Sequence, residues 1–153
     1  TTYVGQNYGA GLLPRIRSGV RAAGTLALIS SVVIAVVMIV FGRPITMLFI
    51  SREDAQLALE AGEAAYRYLC LMSLSLPVLY LLYVFMSALQ GMGNTIAPML
   101  SAVFELAIRL TIAFIIAQTG IRNGIFWAEV GAWYGGGVTQ ALGYFLQIRK
   151  LRK

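Results

Sequence analysis

Two residues in the second half of the chain carry charge where their neighbours do not: Glu105 and Arg109, inside the otherwise apolar run 96–116. A carboxylate in such a run can bind a proton or a cation. A guanidinium four residues on shares its helix face and can pair with it. Two readings follow. In one, the pair is architectural and locks helices together. In the other, Glu105 is a site for a proton or a sodium ion and Arg109 holds the carboxylate charged, which makes it harder to protonate at neutral pH. Glu129, beside Trp127, is the third ionised residue in an apolar run. It either snorkels or caps next to an interfacial tryptophan, or stands at the mouth of a cavity. The usual acid–base and metal-binding types are scarce: the chain has no histidine and one cysteine, Cys70. That leaves no disulfide framework, no imidazole relay and no Cys-based metal site, so no enzyme activity and no cofactor is expected.

The elements that must hold these residues are long and apolar. Hydrophobic residues make up 59% of the 153-residue chain, charged residues 12%, and the mean hydropathy is +0.78, whereas soluble domains are about 25% charged. Four runs stand out, at 22–42, 68–90, 96–116 and 125–148. At about 1.5 Å per residue each spans a hydrocarbon layer of about 30 Å. The expected fold is an all-α membrane protein with four transmembrane helices: a connector over 1–18 precedes a four-span unit over 19–153. Ser51 with Asp54 resembles a helix start and predicts a short surface helix that runs to Glu63 and leads into the second span. Glycine-rich turns are expected at 91–95 and 120–124, with Pro98 in the first turn of the third span.

Flanking charge orients the bundle. Arg15, Arg17, Arg21, Arg149, Lys150, Arg152 and Lys153 lie on one side, seven in all, against Arg43, Arg52, Arg67 and Arg122 on the other, where four acidic residues also fall between 43 and 67. Both ends are therefore expected in the cytoplasm. Basic residues grouped at helix ends do not make a nucleic-acid surface, and no nucleic-acid partner is expected. Pro77 breaks the backbone bonding of the second span and frees the carbonyl of Ser73, either as a plain kink or as a hinge beside a cavity, with Ser73 and Ser75 near enough to satisfy local backbone groups. Tyr80 and Tyr83 offer ring faces to a cationic ligand or anchor the helix at an interface. Gly131, Gly135, Thr139 and Gly143 recur every four residues and predict close approach of another helix. Gln140 beside them is either a hydrogen-bonding pore residue or helix glue.

The opening Val-Gly-Gln-Asn-Tyr-Gly-Ala-Gly supplies Gly5, Gln6, Asn7, Gly9 and Gly11, glycines for a sharp turn and amides for helix-end backbone groups. Together with Arg15-Ile-Arg17 and the later Ala88-Leu-Gln-Gly-Met-Gly-Asn-Thr95, it resembles the multidrug and toxic compound extrusion (MATE) family. The Glu105–Arg109 helix and Gly124-Ile-Phe-Trp-Ala-Glu129 also look like that family's later part. The resemblance implies a twelve-helix, two-lobe transporter of the bacterial inner membrane, of which this chain resembles a fragment: the end of the eighth helix and helices nine to twelve. The other lobe and the first two helices of this one would be its partners, with the lipid bilayer. It further implies export of amphipathic, often cationic drugs, driven by H+ or Na+. Some family members carry a cation-binding Asp on the helix matching 68–90, where this sequence has no carboxylate. The alternatives are a flippase-type exporter of lipid-linked sugars, a four-span exporter acting as a dimer, and a membrane scaffold subunit that transports nothing.

Overall fold

The computed structural model describes residues 1–50, 55–120 and 122–151. These form five α-helices: α1 (Thr2–Gly9), α2 (Leu13–Met47), α3 (Ala55–Gly91), α4 (Ile96–Thr119) and α5 (Phe126–Lys150), with a 3-10 turn at Arg122–Ile125 before α5. The proposed cap at Ser51 and Asp54 lies outside the described residues, as do Arg152 and Lys153.

Three of these helices, α2, α3 and α4, are long and apolar enough to cross a membrane. The fourth expected span, 125–148, forms the 25-residue helix α5. Its apolar character is diluted by Glu129, Thr139, Gln140 and its glycines, so composition alone does not mark it as a span. Large apolar side chains cover the outer faces of the bundle. Leu26, Val33, Val40, Val103, Leu110 and Phe114 are all more than half exposed, as expected of residues whose solvent is lipid.

Several expectations about boundaries change. The opening motif is helical from Thr2 to Gly9, and the turn is confined to residues 10–12, where Gly11 takes the left-handed conformation (φ 69°) that favours glycine. Gly5 serves packing instead: a Cβ there would lie 3.4 Å from the carbonyl oxygen of Gly91, where α1 crosses the end of α3. The expected surface helix is no separate element, because α3 runs unbroken from Ala55 through the second span. Both internal prolines, Pro44 in α2 and Pro77 in α3, sit within continuous helices. Near Pro77, Ser75 donates to the carbonyl of Leu71 at 2.9 Å, one turn back.

A buried apolar cluster gathers at one end. Val4, Ile16, Val20, Ala88, Leu89, Met92, Tyr144 and Ile148 form one buried cluster. The start of α2, the turn after α3 and the end of α5 thus lie together. Asn94 Nδ2 donates to Gln147 Oε1 at 3.3 Å across the same end, and Asn94 Oδ1 accepts the backbone N–H of Ala97 at 3.1 Å, capping the first turn of α4.

Candidate functional site

The ionised residues meet on the seam between α4 and α5. The two helices are antiparallel neighbours, with Gly120 as the left-handed cap of α4 (φ 68°). The glycine repeat of α5 makes the close approach possible: a Cβ at Gly131 would come within 2.8 Å of Ile112 Cδ1, and one at Gly143 within 3.3 Å of Ala97 Cβ and of Leu89 Cδ1. Gly135 receives Ile108 of α4, and Gly137 receives Val78 of α3, one residue past Pro77. The stripe therefore packs against two helices.

Glu105 and Arg109 do not pair with each other. Arg109 Nη2 donates to Glu129 Oε1 at 2.8 Å, across the seam. The same oxygen accepts the indole N–H of Trp133 at 2.9 Å. Trp133 is buried and lies one turn beyond Glu129 on α5. Arg109 and Glu129 each remain about a third exposed, at 39% and 34%, so their pair forms at the border of the packed interior. The spacing of Glu105 and Arg109 allows an intrahelical pair, and the pair that forms is interhelical. An i,i+4 pair on an α-helix is one option for a long guanidinium, and a carboxylate on the facing helix with a second donor to fix it is the better one.

Glu105 turns the other way along α4. Its Oε1 accepts from Ser101 Oγ at 3.1 Å, one turn before it. Ser101 is fully buried and also lies 3.4 Å from the carbonyl oxygen of Gly136. Thr139 Oγ1 lies 2.8 Å from Ser101 Oγ and 2.8 Å from the Gly136 carbonyl. The carboxylate rests on Gly136, which has no side chain to exclude it. Gln140 follows Gly136 by one turn. It is 1% exposed, and its Oε1 has no hydrogen-bond partner. The Nε of Arg109 is likewise buried and unpaired. These are the two unsatisfied buried side-chain atoms among the described residues, and they fall one turn to either side of the Glu105–Gly136 contact.

The remaining candidates lie elsewhere. Tyr80 and Tyr83 line an apolar cavity of about 780 Å³ between α1, α2 and α3, together with Tyr3, Val84 and the alanines 22, 23 and 27. Pro77 and Gln140 are not among its lining residues. In the opening motif, Asn7 is buried and donates to the carbonyl of Tyr3 at 2.8 Å, while Gln6 and Gly9 are exposed. The residues missed from sequence are Ser101, Trp133 and Gly136. A sequence signal existed for the first two, which stand four residues from Glu105 and Glu129. Gly136 was hidden among three consecutive glycines, 135–137, and only the neighbouring helix selects it.

A family model described as MatE matches residues 1–115 of the chain. The match includes Glu105 and Arg109 and ends before Glu129 and Gln140. No curated protein and no solved structure matches the chain.

Proposed function

The chain belongs to the MatE family of membrane transporters, and from that premise we propose that it exports amphipathic, often cationic compounds by antiport against protons or sodium ions. The observation that carries the proposal is the environment of Glu105. A carboxylate lies in the middle of an apolar span and accepts from a serine hydroxyl, while the neighbouring Arg109 turns its Nη2 to Glu129. Ser101, Thr139 and the Gly136 carbonyl add oxygen ligands suited to a proton or a small hard cation. Glu105 is the coupling group in this reading. Arg109 and Glu129 hold the seam at its border, and Gln140 supplies the acceptor that a protonated Glu105 would satisfy.

The cavity bearing Tyr80 and Tyr83 supports a cationic cargo, since its walls are apolar and its tyrosine rings attract cations. Arg109, the mid-span cation that a lipid diphosphate would need, is paired with Glu129, which favours the drug-type cargo over a lipid-linked sugar. In the whole transporter α1–α5 would belong to the second of two six-helix lobes, with α5 as a fourth span, both ends in the cytoplasm and the bacterial inner membrane as the location. Binding of ion and cargo would be coupled reciprocally through the two access states.

The test is efflux of a cationic dye from vesicles holding the full-length protein under imposed proton or sodium gradients, comparing wild type with Glu105→Gln at matched expression. The expected result is gradient-driven efflux in the wild type and its loss in the variant, with dye binding retained. Unchanged efflux would reduce Glu105 to architecture, and no efflux from either protein would remove the export reading.

A further inference from the structure

A second groove, of about 660 Å³, runs between α2 and α5 over α3. Its composition is divided along its length. At the end where α2 begins and α5 finishes stand Arg17, Arg21 and Arg149; further along lie Leu28, Leu81 and Phe145. From Arg17 to Leu28 the helix rises about 16 Å, so the groove passes from a basic mouth into the apolar layer. Phe85, Tyr144 and Phe145 form its aromatic wall, with ring centroids 5.3–6.0 Å apart. No carboxylate lines it. Among the described residues none of the three guanidinium groups has an ion pair or a hydrogen bond to a protein acceptor. Arg17 and Arg21 are four apart and share a helix face.

We infer that this groove binds an anionic phospholipid, its phosphate held by Arg17, Arg21 and Arg149 and an acyl chain laid along Leu28, Leu81 and Phe145. Three unpaired guanidinium groups around one opening call for an anion, because Arg presents a fork of donors matched to phosphate oxygens. The apolar continuation calls for a hydrocarbon tail on that anion. Basic pockets between transmembrane helices at the charged face of a bilayer have this combination. The same arginines repel the cationic cargo, so the groove is distinct in kind from the tyrosine-lined cavity. The inference does not depend on ion coupling or on export.

The test measures thermal protection of the full-length protein, purified in detergent and stripped of lipid, by added phosphatidylglycerol, phosphatidylcholine or inorganic phosphate, with bound lipid counted by native mass spectrometry. Phosphatidylglycerol is expected to be retained with roughly tenfold preference over phosphatidylcholine, and inorganic phosphate is expected to give no protection. The triple variant Arg17→Gln, Arg21→Gln, Arg149→Gln is expected to lose that preference. A second variant leaves the charges in place and fills the apolar part. A Cβ at Gly24, which lines the groove, meets only Leu81 Cδ2, at 3.7 Å, so Gly24→Leu is expected to fold and to lose lipid retention while keeping all three arginines. Equal retention of the two lipids would overturn the inference. So would protection by phosphate as strong as by lipid, or full retention in Gly24→Leu.

Discussion

Glu105 can lie across the α4–α5 seam because Gly136 beneath it has no side chain. A Cβ at that position would stand 2.6 Å from the carboxyl carbon of Glu105, inside any tolerable contact. Gly136→Ala therefore pushes the flexible end of Glu105 off Ser101, and should lower stability by up to about 1 kcal/mol, the usual net worth of one hydrogen bond. Melting of the purified protein checks this. In a double-mutant cycle with Glu105→Ala, most of the penalty should vanish, because the shortened side chain no longer occupies the space. A strictly additive cycle would show that the glycine matters for helix approach alone. The other charged group resolves differently. Arg109 reaches across to Glu129, and Trp133 fixes that carboxylate by donating to the same oxygen.

The helices follow rules that their own sequences state only partly. Pro77 lies in a helix that continues for fourteen residues beyond it, to Gly91, so the element tolerates the lost N–H to Ser73 without ending. The next residue, Val78, packs on Gly137 of α5, which ties the weakened turn of α3 to the helix that carries Glu129 and Gln140. Pro77→Ala restores the backbone bond and should stabilise α3 by up to about 1 kcal/mol. If the turn bends during transport, the same variant should slow cargo turnover while binding is kept. Melting and initial efflux rates read the two effects separately, and a variant that is both more stable and equally fast would leave Pro77 with no role in motion. The start of α3 teaches a related point. The sequence from Ser51 to Glu63 reads as a distinct surface element, yet its described part, 55–63, is the first turns of a single 37-residue helix. Arg43 of α2 helps to hold it, pairing with Glu63 at 3.3 Å and lying 5.0 Å from the ring centre of Tyr66.

Across the whole molecule, the buried cluster and the Asn94–Gln147 bond bring the start of α2, the turn after α3 and the end of α5 to one end. The turn after α4 lies at the other. The positive-inside reading proposed above would put the first end in the cytoplasm. In a background with Cys70 replaced by alanine, Thr95→Cys should react with a membrane-impermeant maleimide only in inside-out vesicles, and Thr119→Cys only in intact cells; both residues are exposed. Labelling of both from one side would mean that α4 does not cross the membrane. The reverse pattern would invert the topology.

Composition and run length by themselves determined that the chain is helical and multi-pass, because a long apolar run has few other stable states and lipid demands that its backbone bonds be satisfied internally. Local chemistry also fixed the turns near Gly93 and Gly120, both with positive φ, and singled out the charged residues that lipid would not tolerate. The partners of those charges were beyond its reach. Glu105 has Ser101 one turn before it and Arg109 one turn after it at nearly equal separation along the helix, so spacing could not choose between them. The choice was made by α5, which offers Arg109 a carboxylate and offers Glu105 a bare glycine. The basic groove was equally illegible, since Arg17 and Arg149 are 132 positions apart in the chain and only the packing of α2 and α5 on α3 sets them around one opening.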